Sequence, residues 1–192
     1  LSTDLQFVAA GESVTLSVAP ERKWSEANDN HYQLTLKRRQ YATKHEKQTG
    51  GDILPQVDFE DQVIVETKLN TSEFKLGEDG KLSRSFKLPE DGEYLLTLDE
   101  VSESGAFAVR TMKLYAYTPG GITNAPIVAD NKIAVVIEKP SYHLGEKARL
   151  LVRLPFADAK ALVTIEKKNV VSKEVMDVKG NTLIKEYTVD DT

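Results

Sequence analysis

Apolar and polar residues alternate with a period of two along much of the chain. In residues 11–18, the apolar Val14, Leu16 and Val18 lie on one side of the pattern, and serine and threonine lie on the other. Because successive side chains of a β-strand point to opposite faces, this pattern predicts a strand with one dry and one wet face. The same alternation recurs in residues 32–36, 82–88, 94–98 and 148–154.

Two shorter runs, residues 62–65 and 133–137, are more uniformly apolar, which predicts strands covered on both faces. Between the strands, Gly, Pro, Asp and Asn mark turns at residues 78–80, 89–92, 103–105 and 179–181. No amphipathic helix longer than two turns is evident. We therefore expect an all-β fold of tandem antiparallel β-sandwiches, with about seven strands in each.

A short internal repeat predicts the domain organisation. Gly11-Glu12 and Gly145-Glu146, 134 residues apart, each precede a strand with its apolar set in the same register. A turn-rich stretch lies between them, so we expect one sandwich over residues 1–118, a linker over 119–130 and a second sandwich over 131–192. Only 47 residues follow Gly145, so the second sandwich is expected to be truncated or to be completed by chain beyond Thr192.

The predicted strands of the second sandwich are residues 133–139, 148–154, 161–170, 175–178 and 183–189. An incomplete sandwich would leave Val163 and Ile165 partly uncovered beside an unpaired strand edge. We therefore expect either self-association through residues 130–192 or lower local stability there than in residues 1–118. In the first sandwich, the predicted core consists of Val14, Leu16, Val18, Leu34, Leu36, Phe86, Leu96 and Leu98.

Composition and charge narrow the classes of function that these residues can have. The net charge of −5 disfavours nucleic-acid binding, which needs clustered Lys and Arg, and no apolar run has the length of a membrane helix. The chain has no cysteine, which excludes disulfides and thiolate chemistry within these residues. It opens at Leu1 rather than Met, so a removed leader or an origin inside a longer protein is expected.

Candidate chemistry is sparse. His31, His45 and His143 lack metal-ligand spacing, and the oxygen-rich loop of residues 24–30 lacks the order of an EF-hand calcium site. No nucleophile or phosphate-loop motif occurs, and the acidic pairs Asp99-Glu100 and Asp190-Asp191 are expected in solvated turns at strand ends. We therefore expect no catalytic, cofactor-binding or metal-binding residue, no cofactor and no enzymatic activity.

Two features invite a functional hypothesis beside a structural one. Lys37-Arg38-Arg39, with Lys44 and Lys47, is interpreted as a strand with surface cations, and an anionic-ligand site is the alternative. The stretch from Tyr41 to Phe59 is predicted to be the longest structureless segment of the first sandwich. A mobile loop is the preferred interpretation, and a bait-like, cleavable loop is the alternative.

Residues 133–166 contain a specific combination of motifs. A strand is followed by Lys139, by Tyr142 three residues before Gly145-Glu146, and by a second strand that ends in Pro155-Phe156 before Ala161-Leu162-Val163-Thr164-Ile165-Glu166. Gly145 suits a turn with positive φ, the Tyr142 hydroxyl can reach a backbone group, and Pro155 can end a strand. This segment resembles a macroglobulin domain of the bacterial alpha-2-macroglobulin family, and residues 5–117 resemble the preceding domain more loosely.

The resemblance implies fibronectin-III-like sandwiches in a large proteinase inhibitor of the bacterial periplasm or cell envelope, which cages a proteinase after bait cleavage. The thioester of that family needs a cysteine, so these residues are expected to be scaffold. The expected partners are neighbouring domains of the parent chain and, through the whole protein, the target proteinase. The alternative is a binding module of a multi-domain surface adhesin or carbohydrate-active protein.

Overall fold

The computed structural model describes residues 1–19, 31–48, 57–75, 81–102, 105–118, 133–154, 158–166 and 170–190. Within these residues the chain forms thirteen strands and no helix. The strands are β1 (Ser2–Thr3), β2 (Phe7–Ala9), β3 (Ser13–Val18), β4 (His31–Gln48), β5 (Val57–Lys75), β6 (Leu82–Lys87), β7 (Gly92–Ser102), β8 (Gly105–Tyr117), β9 (Ala134–Ile137), β10 (Lys147–Arg153), β11 (Ala159–Glu166), β12 (Val170–Val178) and β13 (Thr182–Thr188). The predicted all-β class is confirmed.

The first half of the chain, residues 1–118, is built from two sheets. Strands β1, β3 and β6 form a three-stranded antiparallel sheet, and the five-stranded sheet has the order β2-β8-β7-β4-β5. Strand β3 buries every second residue, as the period-two pattern predicts. Its inward residues and those of β4, β7 and β8 form one apolar cluster that joins the two sheets. This cluster includes all eight predicted core residues, of which Phe86 is only partly buried.

Two details differ from the expected seven-stranded antiparallel sandwich. The described residues of the first half contain eight strands, because the edge segments β1 and β2 are separate short strands. Strand β2 also pairs in parallel with β8. The chain reaches it by crossing from β1 in the three-stranded sheet to the edge of the five-stranded sheet. The remaining pairs in this half are antiparallel.

The predicted loop from Tyr41 to Phe59 is wrong over most of its length. Strand β4 continues to Gln48 and pairs with β5 from Val57 onward, so residues 41–48 and 57–59 belong to a long hairpin. The charged residues in this region fit the extended pairing of a two-stranded ribbon, which needs no apolar core residue to set its hydrogen bonds. Residues 49–56 lie outside the described residues.

The second half consists of a three-stranded sheet in the order β13-β10-β9 and a separate β11–β12 hairpin. All five predicted strands of this half are present. The prediction that residues 133–137 are covered on both faces is wrong, because Ile133, Val135 and Ile137 are 58%, 58% and 51% exposed. Strand β9 lies at a sheet edge with one face open, and Val65 of β5 is likewise exposed.

The Gly-Glu turn of the first half has a defined hydrogen-bond scheme. Gly11, at φ 91°, donates its N–H to the Leu88 carbonyl at 2.7 Å, and Leu88 donates back to the Glu12 carbonyl at 2.9 Å. The Glu12 carboxylate accepts from the Ala9 N–H at 3.0 Å. A positive φ favours glycine at the first of these positions.

The Gly-Glu turn of the second half repeats this scheme. Gly145, at φ 83°, donates to the Val189 carbonyl at 2.7 Å, and Val189 donates back to the Glu146 carbonyl at 2.8 Å. The Glu146 carboxylate accepts from the His143 N–H at 3.1 Å. The positive φ predicted for Gly145 is confirmed.

The repeat extends into the sheets. Thr3 pairs with Leu16 in the first half, and Ile137 pairs with Leu150 in the second, so both partners are displaced by the same 134 residues. Strands β1, β3 and β6 therefore correspond to β9, β10 and β13. The domain boundaries remain a prediction, because residues 119–130 lie outside the described residues.

Candidate functional site

The two halves meet where β10 faces β8. Since Leu114 and Ala116 of β8 point into the core of the first half, Tyr115 and Tyr117 point outward. Strand β10 presents Arg149, Leu151 and Arg153 on a single face by the same alternation, and these side chains pack against the outward face of β8. We call this contact the junction.

The centre of the junction is apolar. Phe7, Tyr117 and Leu151 are buried against one another, and the two rings pack edge to face with their centroids 5.9 Å apart. Such an aromatic pair stabilises by about 0.5–1.5 kcal/mol beyond the area that it buries. Four partly buried side chains surround this centre: Ala9, Tyr115, Val136 and Ile184.

Arg149 borders the apolar centre on one side. Its Nη1 donates to Glu138 Oε1 at 2.6 Å, and its Nη2 donates to the Tyr117 hydroxyl. The guanidinium carbon also lies 5.7 Å from the centre of the Phe7 ring, within cation–π range. Burial alone would lower the pKa of Arg149, but the attraction of Tyr117 and Glu138 outweighs burial and the pKa is raised.

A second arginine, Arg153, borders the apolar centre on the opposite side and lies near the buried carboxylate of Glu93. Arg153 lies over the Tyr115 ring at 5.1 Å, and its Nη1 is 4.0 Å from Glu93 Oε2. Glu93 is buried at the start of β7 and also pairs with Arg39 at 2.9 Å and with Lys113 at 3.6 Å. Burial, and next the Glu93 charge, raise the pKa of the Tyr115 hydroxyl.

Backbone hydrogen bonds connect the same elements. The Gln6 N–H donates to the Glu138 carbonyl at 2.7 Å, and the Gln6 carbonyl accepts from the Tyr115 N–H at 3.1 Å. Gln6 therefore joins the end of β9 to β8 through main-chain groups. A buried contact with paired charges and main-chain bonds holds the two sheets in one relative position.

The three described cations of the predicted basic patch, Lys37, Arg38 and Arg39, pair with carboxylates. Arg38 is buried, not a surface cation, because it continues the inward-facing series of Leu34 and Leu36 on β4. It pairs with Glu90 and donates to the Asp91 carbonyl. The neighbours Lys37 and Arg39 both pair with Glu66, as the outer face of the sheet allows.

Gly92 makes the approach of Arg38 possible. Its φ is 139°, and a Cβ built on it would lie 3.3 Å from Arg38 Nε. The Tyr94 hydroxyl donates to the Glu90 carbonyl at 2.6 Å and fixes the same turn. Burial is the main cause that raises the pKa of Tyr94.

The other sequence candidates do not converge. His31 begins β4 and His143 lies in the turn before β10, both exposed, and the described residues hold no group of three or more His, Asp or Glu able to bind a metal. The side chains of His45, Lys44 and Lys47 lie outside the described set, as does the loop of residues 24–30.

The two acidic pairs differ in position. Asp99 and Glu100 lie inside β7 next to a bulge, so the prediction that they occupy a terminal turn is wrong. Asp190 is exposed after β13 and accepts from the Tyr187 hydroxyl at 3.1 Å, while Asp191 lies outside the described residues.

One predicted motif contact is confirmed, and the junction was not predicted. The Lys139 N–H donates to the Tyr142 hydroxyl at 3.0 Å, as predicted for this tyrosine, and Pro155 lies outside the described residues. The motifs did not predict a role for Arg149 and Arg153. The sequence signal for the junction is Leu151, an apolar residue on the face of β10 that otherwise carries charged residues, whereas the opposite face is apolar throughout.

The described part of the chain contains no helix with the length and apolar character needed to span a membrane. No protein-family model and no curated protein matches the chain. Among solved structures, a cryo-EM reconstruction of native Escherichia coli alpha-2-macroglobulin is similar at 19% identity and a TM-score of 0.39. A crystal structure of a point mutant of Salmonella alpha-2-macroglobulin is similar at 15% identity and a TM-score of 0.39.

Both matches cover 97% of this chain, and the chain spans 11% of the length of each matched protein.

Proposed function

We propose that this chain is a structural and interaction module of a bacterial alpha-2-macroglobulin-like proteinase inhibitor that acts in the periplasm or cell envelope. The motifs of residues 133–166 support the family, since Tyr142 and Gly145 adopt the local geometry that those motifs require. The second support is the internal repeat, because two units with the same turn and the same strand pairing are typical of tandem domains.

The junction is the observation on which the proposal chiefly depends. A cage that retains an enzyme needs rigid walls, and two neighbouring domains of one wall must move as a unit when the cage changes shape. Arg149, Leu151 and Arg153 provide such a connection, because each is engaged with the first half. Relative motion at this contact would expose Leu151 and separate the buried Glu93 from Arg153.

The proposed role is non-enzymatic, and a sugar-binding role has less support. A carbohydrate platform needs exposed aromatic rings on one face. The described rings of Phe7, Tyr115 and Tyr117 pack within the junction, and Tyr32 stacks on Phe74 within the first half.

The proposal is tested with the full-length protein that carries residues 1–192. It is mixed with an active proteinase and fractionated by size exclusion. We expect the proteinase to co-elute at high mass, to cleave a small peptide substrate, and to lose activity on a large protein substrate. The isolated chain should do none of these, because a wall segment alone encloses nothing.

A junction variant sharpens the test. R149Q/R153Q in the full-length protein should reduce the retained proteinase, whereas K147Q/K160Q, two exposed lysines of the same half, should not. Free proteinase that stays active on large substrates in the presence of the full-length protein would refute the trapping role. Stoichiometric inhibition by the isolated chain would refute the scaffold role.

A further inference from the structure

Strand β5 forms one edge of the five-stranded sheet in the first half of the chain. Within the described residues it pairs with β4 alone, so its other side offers N–H and C=O groups to a further strand. Residues 65–70 of this strand are all exposed, with Val65 at 43% and Leu69 at 41%. The edge of β5 therefore combines unpaired backbone groups with two exposed apolar side chains.

The segment from Val65 to Leu69 is self-complementary about Thr67. Its two ends lie two positions to either side of Thr67, and both are apolar. Glu66 and Lys68 lie one position to either side, and their charges are opposite. When two copies of a strand pair in antiparallel register on a two-fold axis, residues at equal distances from the axis face each other. An axis at Thr67 therefore matches each apolar residue with an apolar one and each carboxylate with a lysine.

Two residues of this segment gain little from their own sheet. The pairing with β4 passes from Lys68 directly to Asn70, so Leu69 is a bulged residue with no partner in β4. Lys68 faces Lys37, and like charges directly opposite each other destabilise an antiparallel pair. Lys68 forms no ion pair within the described part of the chain. A carboxylate and an apolar side chain supplied from the open side of β5 would satisfy both positions.

We propose that the chain forms a two-fold dimer in which the β5 edges of two copies pair in antiparallel register about Thr67. The two five-stranded sheets then continue as one sheet across the axis. On one face Val65 of each copy packs against Leu69 of the other, and on the opposite face the Glu66 carboxylate of each copy pairs with Lys68 of the other. The partner is a second copy, because this segment is complementary to its own reversed order. The dimer goes beyond the function proposed above and does not depend on it.

A lysine and a bulge can also keep an edge strand unpaired, and this alternative makes the opposite prediction for Lys68→Glu. Within one chain the new carboxylate faces Lys37 and removes a like-charge pair, so the fold should not be weakened. Between two chains it faces Glu66, so the proposed dimer should weaken. If the lysine only protects the edge, its removal should instead leave an edge that associates more readily.

Analytical ultracentrifugation of the 192-residue chain over a range of concentrations measures the dimer. We expect the mass to rise with concentration from that of a monomer toward twice that value. K68E should raise the dissociation constant by roughly tenfold, because two attractive pairs become repulsive. K87E makes the same charge change at an exposed lysine of β6, in the other sheet of the first half, and should leave the constant unchanged.

A cysteine variant locates the axis without changing any charge. The chain has no cysteine, so T67C has a single thiol, which the proposed axis places directly opposite its copy. S83C, at an exposed position of β6, is the matched control. Under mild oxidation T67C should form the covalent dimer roughly tenfold faster than S83C, because antiparallel pairing brings opposite Cβ atoms within reach of a disulfide.

Three results would overturn the proposal. The first is a chain that stays monomeric up to about 1 mM, the weak end of specific association. The second is a dimer that K68E strengthens or leaves unchanged, with the unfolding curve of K68E showing that the variant is folded. The third is equal crosslinking of T67C and S83C, because the contact would then lie elsewhere on the chain.

Discussion

The two halves of this molecule share one local design and differ in what covers it. Both have the Gly-Glu turn, the same ladder register and the same order of three strands. In the first half these strands face a five-stranded sheet, and Leu16 and Leu96 are fully buried. In the second half the buried apolar residues among those described are Leu151, Leu154 and Val178, and Leu151 is buried by the first half. Local sequence therefore sets turn and register, whereas the number of facing strands sets burial.

The largest expected effect on stability separates two leucines, one from each half. Leu96 is buried in the centre of β7, and Leu162 is 65% exposed on β11. Leu96→Ala should cost about 2–5 kcal/mol of unfolding free energy, by transfer loss and cavity formation. Leu162→Ala should cost less than about 0.5 kcal/mol. Urea unfolding measures both, and equal costs would contradict the comparison.

The junction is tested next through its buried carboxylate. Glu93→Gln removes the charge that faces Arg39 and Arg153, so the unfolding free energy should fall by about 1–3 kcal/mol. Glu186→Gln, a half-exposed carboxylate of β13, should cost about 0–1 kcal/mol. Thermal or urea unfolding distinguishes the two, and a neutral Glu93→Gln would mean that the junction does not depend on this charge.

The shared turn predicts equal effects in the two halves. Gly11 and Gly145 both have positive φ, and a Cβ at either would meet nothing within 4 Å. Each change to Ala should therefore cost about 1–2 kcal/mol from the backbone conformation alone. Unfolding curves of the two variants give the comparison. Costs that differ by more than about 1 kcal/mol would show that the turns are not equivalent.

The smallest effect is a pH dependence at the junction. Burial raises the pKa of Tyr115 above its ordinary value of 10.0, so above pH 10 the unfolded chain loses this proton first. The contribution of Tyr115 to stability is therefore complete below pH 10 and decreases as the pH rises toward the raised pKa. Tyr115→Phe should show a shallower alkaline loss in urea titrations at pH 8 and above. An identical alkaline slope in wild type and variant would refute this assignment.

Much of the fold could be predicted because its strands have one face in water. Alternation identified Val14, Leu16 and Val18 as inward residues, and all three are buried. The prediction of burial failed where it depends on whether another sheet covers a strand and not on the periodicity of the sequence. Residues 133–137 are apolar on both faces, but the inner face is open, and the charged residues of the β4–β5 ribbon pair without an apolar signature.

The sequence by itself determined the all-β class, the positive φ of the two Gly-Glu turns and the hydroxyl contact of Tyr142, because each depends on residues close together in the chain. Only the tertiary structure decided the junction and the open edge of β11. Arg149 and Arg153 meet partners more than thirty positions away, and within the described residues β11 pairs with β12 alone. Contacts between distant segments depend on how sheets stack, and a period-two pattern states which face is dry without stating what covers it.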